Sequence, residues 1–181
     1  MRRLRRFVRT VSILLTLAPA TALAQSPFEP GEWVVSPAIG FAFDADADVS
    51  PALAGAVGYP VTPSLIIEAE PGYLFDLAPG DPDVDSSLTT VHAAALYFFE
   101  TEYVATPYLA GGVGIGRFSH EVTTPPASIG RTEIGVNLGG GVTYPIRERV
   151  LARGDFRYFG HIDDVPSAWR LAASVTFALR R

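Results

Sequence analysis

Residues 169–177 read Trp169-Arg170-Leu171-Ala172-Ala173-Ser174-Val175-Thr176-Phe177. Every second residue of this stretch is apolar, and the residues between them are polar or small. Because successive side chains of a strand point to opposite faces, this period of two predicts a β-strand with one apolar face.

The same alternation recurs along the chain and predicts eight strands, at residues 32–43, 52–59, 64–75, 88–99, 107–118, 131–144, 149–159 and 168–177. Each is close to the ~9 to 11 residues that a tilted strand needs to cross a bilayer. The connections alternate between short ones, such as 59–63 and 144–148, and longer ones rich in Asp, Pro, Ser and Gly. Short periplasmic turns and longer outer loops are typical of membrane barrels, with both termini in the periplasm.

The amino terminus has the features of a secretory leader. Five arginines occur in the first nine residues, an apolar run follows from Val11 to Leu23, and Ala22-Leu23-Ala24 supplies small residues for a peptidase. We therefore predict a signal peptide at residues 1–24, cleaved before Gln25, and a barrel domain at residues 25–181. An uncleaved anchor is the alternative, but the run contains Pro19 and is shorter than the ~20 residues of a spanning helix.

Composition narrows the function. Residues 25–181 carry nine arginines, no lysine and nineteen acids, a net charge of −10 that argues against nucleic acid as a partner. The absence of cysteine excludes disulfides and thiolate metal sites. No part of residues 25–181 has 18 uninterrupted apolar residues, so a membrane crossing would require a closed barrel, the other structure that satisfies its backbone in lipid.

Aromatic residues concentrate near the predicted strand ends. The periplasmic group is Trp33, Tyr59, Phe99, Tyr108, Tyr144 and Phe177, and the outer group is Phe43, Phe75, Phe118, Tyr158 and Trp169. Two aromatic girdles around an apolar band favour a membrane barrel. A soluble periplasmic barrel is the alternative, and it would keep its largest aromatics in mid-strand.

Three further stretches are rich in glycine and aromatic residues: 107–116 (Pro-Tyr-Leu-Ala-Gly-Gly-Val-Gly-Ile-Gly), 137–145 (Asn-Leu-Gly-Gly-Gly-Val-Thr-Tyr-Pro) and 151–159 (Leu-Ala-Arg-Gly-Asp-Phe-Arg-Tyr-Phe). They resemble the small outer membrane β-barrel family, the eight-stranded group that includes the OmpA transmembrane domain and OmpX. The resemblance implies an all-β fold, an eight-stranded antiparallel up-and-down transmembrane β-barrel in a bacterial outer membrane. It says little about activity, because that family includes adhesins, stability proteins and members of no known role.

The final strand also resembles the signal read by the outer membrane assembly machinery. Arg170, Ala172, Val175 and Phe177 fit a polar residue, a small residue and two alternating hydrophobic residues, the last aromatic. The family commonly has glycine where this chain has Ala172, and it commonly ends on the aromatic residue, whereas here residues 178–181 follow.

Charged residues within the strands predict a polar interior. An arginine facing lipid at mid-membrane costs about 2 to 4 kcal/mol, so Arg153 and Arg157 must both point inward. An eight-stranded barrel is filled by its own side chains, and buried charges must pair. By parity we predict an interior ion network of Glu68, Glu70, His92, Glu133, Arg153, Asp155, Arg157 and Arg170, beside Asn137 and glycines at 135, 139 and 141. We expect Arg117 to share this interior unless it lies above the lipid. A gated conduit or a proton relay is the alternative role for the network.

We expect no catalytic or cofactor-binding residues. His92 is interpreted as a packed structural histidine rather than a catalytic base, and His120 and His161 lie on or next to outer loops. No local serine and histidine arrangement accompanies them, so a lipid-modifying enzyme is only an alternative.

Aspartates alternate along two outer loops, an arrangement that suits a hard cation: Asp44, Asp46, Asp48, Asp81, Asp83 and Asp85. Val49 and Ser86 stand where a calcium loop needs glycine, so we expect a solvated acidic surface and no metal, with cation bridging to lipid phosphates as the alternative.

The sequence thus predicts a structural or surface-interaction protein, with a plugged polar interior and acidic outer loops. A small-molecule binding or transport barrel is the alternative function. The expected partners are outer membrane lipid, lipopolysaccharide and the assembly machinery, and the expected state is a monomer.

Overall fold

A computed structural model describes residues 28–43, 49–75, 84–123, 126–161 and 167–179. The predicted signal peptide, residues 1–24, lies outside them. The strands are β1 (Trp33–Phe43), β2 (Val49–Thr62), β3 (Leu65–Phe75), β4 (Val84–Phe98), β5 (Thr106–Thr123), β6 (Pro126–Arg147), β7 (Val150–His161) and β8 (Ala168–Leu179). Within the described residues no helix is long and apolar enough to span a membrane.

The eight strands form one closed antiparallel barrel in chain order, which confirms the predicted fold. β8 pairs with β1, so the sheet has no open edge along its main wall. One circuit of paired residues starts on β6 at Thr143 and returns to β6 at Glu133, ten residues away, through Arg153, Ser174, Ala38, Ala54, Gly72, Thr90 and Gly116. This stagger tilts the strands and gives a lumen that side chains can fill.

The two ends of the barrel differ. The turns at 63–64, 99–105 and 148–149 lie at the end where β1 begins and β8 ends. Because short turns are periplasmic in outer membrane barrels, we name this the periplasmic end and the opposite one the outer end. The register shifts in two places near the periplasmic end, beside Pro60 and Pro145. Proline has no N–H to donate to a neighbouring strand, which explains irregular pairing at both places.

Side chains alternate between an apolar outer surface and a buried interior. Ile39 and Leu138 are 67% and 68% exposed on the outer surface, although both are large and apolar. Polar and charged side chains such as Glu68 and Arg157 are buried instead. This arrangement is the reverse of a water-soluble barrel and suits a surface covered by lipid.

Five strands extend further than predicted at the outer end, namely β2, β4, β5, β6 and β7, and the longest of these extensions belong to β4, β5 and β6. β4 begins at Val84 rather than residue 88, β5 continues to Thr123, and β6 begins at Pro126. The added residues pair with one another, from Val84 with Val122 to Thr123 with Pro126. Their backbone hydrogen bonds hold the strands together where the alternation of the sequence is lost.

Strand β5 also corrects three predicted side-chain positions. Tyr108 is buried in the lumen and Phe118 packs against buried apolar residues there, so neither belongs to an aromatic girdle. Arg117 faces outward and is exposed. The pairing of β5 continues without a bulge, so Tyr108 and Phe118 share the inward parity of Ala110, and Arg117 shares the outward parity of the lipid-facing residues.

Candidate functional site

Six charged residues meet in the middle of the lumen, and we call them the ion cluster: Glu68, Glu70, Arg153, Asp155, Arg157 and Arg170. They come from β3, β7 and β8. In the closed order, three strands separate β3 from β7 on either side, so these two strands form opposite walls. The cluster therefore crosses the barrel from wall to wall.

Each arginine of the ion cluster contacts at least two carboxylates. The Arg153 guanidinium donates two parallel hydrogen bonds to Glu68, of 2.6 Å and 3.1 Å. Arg157 Nε donates to Asp155 Oδ2 over 2.8 Å, and its Nη1 lies 3.5 Å from Glu70 Oε2. This bridging joins the pairs into one network.

Arg170 completes the network from β8. Its Nη1 lies 2.8 Å from Glu70 Oε1, and its Nη2 donates to Asp155 Oδ1 over 3.3 Å. The guanidinium also lies over the Phe159 ring, 4.7 Å from its centroid. One arginine thus binds carboxylates from both β3 and β7.

Tyr108 belongs to the same site, although parity reasoning did not assign it there. Its hydroxyl donates a 2.6 Å hydrogen bond to Asp155 Oδ2, and Arg153 lies 5.3 Å from its ring centroid. The signal that could have found it is the alternation of β5, in which Tyr108 is in phase with Ala110.

The ion cluster has no net charge, with three carboxylates facing three guanidinium groups. Removing a charge from water costs several kcal/mol per ion, roughly, and only close pairing with further hydrogen bonds offsets that cost. The bidentate Arg153–Glu68 pair and the three donors to Asp155 supply such contacts.

Apolar layers lie on either side of the ion cluster. The periplasmic apolar cluster contains Phe28, Val34, Ile66, Ala94, Leu96, Phe98, Tyr108, Ala110 and Leu151. The outer apolar cluster contains Ala42, Ala52, Leu74, Leu88 and Ala168, with Phe118 packed against it. Along β3 the inward residues are, in order, Ile66, Glu68, Glu70, Gly72 and Leu74, so the three layers succeed one another along the lumen.

The other residues predicted for the ion network lie outside the ion cluster. His92 is buried, and its ring packs edge-on against Phe159 with centroids 5.0 Å apart. Glu133 is half-exposed on β6 towards the outer end, paired with Gly116 of β5. Asn137 is buried beside Phe159, its register partner on β7.

Large interior side chains pack against glycines on neighbouring strands. A Cβ at Gly114 would lie 2.6 Å from His92 Nδ1, and one at Gly141 would lie 2.6 Å from the Tyr108 hydroxyl. A Cβ at Gly139 would lie 2.9 Å from Arg157 Cγ and would overlap the Phe156 carbonyl oxygen. These glycines leave the volume that the ion cluster and its neighbours occupy.

The predicted cation ligands are mostly outside the described residues, namely Asp44, Asp46, Asp48, Asp81 and Asp83, and Asp85 lies at the outer end of β4. In the part of the chain that the structure describes, no group of three or more His, Cys, Asp or Glu side chains could hold a metal ion. The solvated acidic surface therefore stays a prediction, with cation binding by these loops as its alternative.

The residues of the predicted assembly signal lie on β8. Arg170 and Ala172 face the lumen, whereas Phe177 faces outward and is half-covered. Arg170 thus belongs both to the ion cluster and to the predicted signal.

Several solved structures share this architecture. Neisserial surface protein A is 21% identical with a TM-score of 0.67, over 87% of this chain and 100% of that chain. The N-terminal β-barrel domain of Pseudomonas aeruginosa OprF is 18% identical with a TM-score of 0.60, over 83% and 98%. Ail, the attachment invasion locus protein of Yersinia pestis, is 15% identical with a TM-score of 0.55, over 82% and 100%. These similarities show the fold.

No curated protein is detectably similar to this chain in sequence. The family model described as outer membrane protein beta-barrel domain matches residues 10–177, which span nearly all of the described strands. This protein is located in the bacterial outer membrane and belongs to the outer membrane protein beta-barrel domain family.

Proposed function

We propose that this protein is a structural barrel that is closed to solutes and contributes to the integrity of the outer membrane. The observation that carries the proposal is the succession of two apolar layers with the ion cluster between them. A hydrated ion would have to cross both apolar layers and separate Arg153 from Glu68 in mid-lumen. Each step is costly, because it exposes apolar surface or leaves a buried charge unpaired.

Planar bilayer recordings test this closure. We expect the purified protein to carry no steady current at salt concentrations where a water-filled porin, as positive control, conducts. A stable open level that discriminates between ions would contradict the proposal and favour the transport alternative.

The outer end supports a second role, at the cell surface. Residues 119–123 of β5 continue the sheet beyond Phe118, which marks the outer apolar cluster, with β4 and β6 on either side. Five strand residues extend about 17 Å. We propose that this three-stranded extension and the acidic loops present the surface that contacts the cell exterior.

Trimming this extension separates the two roles. The pair His120 and Ile129 can be joined by a two-residue Asn-Gly turn in place of residues 121–128. In cells lacking the protein, we expect the trimmed barrel to restore exclusion of hydrophobic dyes as well as the full chain does. If a correctly folded trimmed barrel does not restore dye exclusion, the contribution to envelope integrity comes from the extension instead of the barrel wall.

The remaining partners follow from the same architecture. We propose that outer membrane lipid and lipopolysaccharide cover the apolar outer surface, that the assembly machinery reads β8, and that the protein is a monomer without enzymatic activity. The proposed mature chain is residues 25–181, after removal of the leader. The charged side chains of the lumen are engaged with one another, which supports a structural rather than a catalytic role.

A further inference from the structure

The segment before β1 folds into the barrel. Phe28 is only 6% exposed and belongs to the periplasmic apolar cluster, although it precedes the first strand. The other members of this cluster come from β1, β3, β4, β5 and β7. The phenyl ring is therefore buried as part of an apolar cluster to which most of the wall contributes.

A turn directs Phe28 into the lumen. Gly31 has a φ of +92°, a conformation that residues with a side chain rarely adopt, and its N–H donates to the Pro60 carbonyl oxygen over 3.2 Å. The Glu32 N–H donates to the Glu29 carbonyl oxygen over 3.3 Å, which closes the turn. The turn therefore holds residues 28–32 across the periplasmic end of the barrel, with Phe28 inserted into the lumen.

The same segment is tied to a second side of the mouth. Arg149 Nη2, in the turn between β6 and β7, lies 3.4 Å from Glu32 Oε1. Pro60 lies on β2, whereas the turn that carries Arg149 lies beyond β8 on the other side of β1, so the ties reach two separate parts of the mouth. Such exposed ion pairs contribute little energy, about 0 to 1 kcal/mol, so most of the attachment comes from burial of Phe28.

We propose that residues 28–32 form a latch that closes the periplasmic mouth of the completed barrel. The apolar cluster that contains Phe28 draws on five strands and is complete only after the wall has closed, so the latch is seated last. The inference rests on the proposed closure to solutes and identifies the element that provides it at the periplasmic end.

Single cysteines can test the latch, because the chain has none of its own. Ala110 lies in the periplasmic apolar cluster and Ala42 in the outer one, and both are buried. We would introduce Ala110→Cys or Ala42→Cys, refold each protein into lipid vesicles, and measure the rate of labelling by a membrane-impermeant maleimide from both sides.

With Phe28 in place we expect both cysteines to be protected. Phe28→Ala should raise the labelling rate of the Ala110→Cys protein about tenfold or more. Opening of residues 28–32 then costs less free energy, because it no longer exposes a phenyl ring to water. The rate for the Ala42→Cys protein should stay unchanged. Phe28→Leu should restore most of the protection, because it refills the apolar space.

If the Phe28→Ala barrel does not refold, Gly31→Ala provides the second variant. It strains the turn without altering the lumen, and it should give intermediate labelling of the Ala110→Cys protein. Protection of that cysteine in the variant that folds would overturn the latch, and so would equal exposure of both cysteines. Rapid labelling with Phe28 in place would instead contradict the proposed closure of the barrel.

Discussion

Arg153 and Glu68 project from opposite walls of the barrel and meet in its lumen through two parallel hydrogen bonds of 2.6 Å and 3.1 Å. Both side chains are almost fully buried. The pair thereby joins two strands that are far apart in the sheet directly through the interior. Backbone hydrogen bonds link neighbouring strands around the circumference, and the ion cluster links opposite strands across the lumen.

Replacing Glu68 with Gln should destabilise the barrel. The variant leaves Arg153 with a buried, incompletely compensated charge, so we expect the free energy of unfolding to fall by about 3 to 5 kcal/mol. Guanidinium titration in lipid vesicles measures it. Glu148→Gln, in an exposed turn, is the matched control and should change stability by less than about 0.5 kcal/mol.

The double variant Glu68→Leu with Arg153→Met tests the pairing itself. It removes both charges, so we expect it to be more stable than Glu68→Gln alone. The cycle is completed by the single variants Glu68→Leu and Arg153→Met. If their losses of unfolding free energy add up to the loss of the double variant, the two side chains are not coupled.

Tyr108→Phe should remove one of the three hydrogen bonds that Asp155 accepts, without disturbing the packing of the aromatic ring. It deletes the 2.6 Å hydrogen bond from the hydroxyl to Oδ2, which should cost about 1 to 3 kcal/mol of unfolding free energy. Tyr97→Phe, on the exposed surface of neighbouring β4, is the control and should be nearly neutral. Equal effects of the two substitutions would remove Tyr108 from the site.

Gly139→Ala should be poorly tolerated, because its Cβ would overlap the Phe156 carbonyl oxygen and crowd Arg157. We expect a loss of about 1 to 3 kcal/mol, or a lower yield of folded barrel. Gly55→Ala places its Cβ where no atom lies within 4 Å, so it should fold as the unmodified protein does. Comparing the heat-shifted gel bands of the two variants gives the result, and a normal Gly139→Ala barrel would disprove the crowding.

Trp169→Ala should lower the free energy of unfolding, because it removes the contacts of the indole with two aromatic rings of β7. The indole stacks on Phe156 with centroids 5.0 Å apart, and it also contacts Tyr158. We expect a loss of about 1 to 2 kcal/mol in vesicles. Tyr103→Ala, in the exposed turn before β5, should have no measurable effect. If both variants unfold alike, the stack does not anchor this face of the barrel.

Much of the architecture could be predicted from local alternation. The inward parity of Arg153 and Arg157 follows from the cost of an arginine in lipid, and the structure places both in the lumen. The same rule is insufficient on β5, where glycines dilute the pattern. There the positions of the aromatic residues predict Tyr108 and Phe118 in the girdles, and Arg117 is predicted in the interior or above the lipid. The continuous pairing of β5 instead places the two aromatic side chains in the lumen and Arg117 on the outer surface.

The class of fold, the number of strands and the inward face of Glu68, Arg153 and Arg170 can be inferred from the order of the residues, because a period of two is a local property of the chain. The contact of Glu68 with Arg153, the contact of Tyr108 with Asp155 and the burial of Phe28 become visible only in the folded barrel. Those contacts depend on the stagger of the closed sheet and on strands far apart in sequence, which no local pattern encodes.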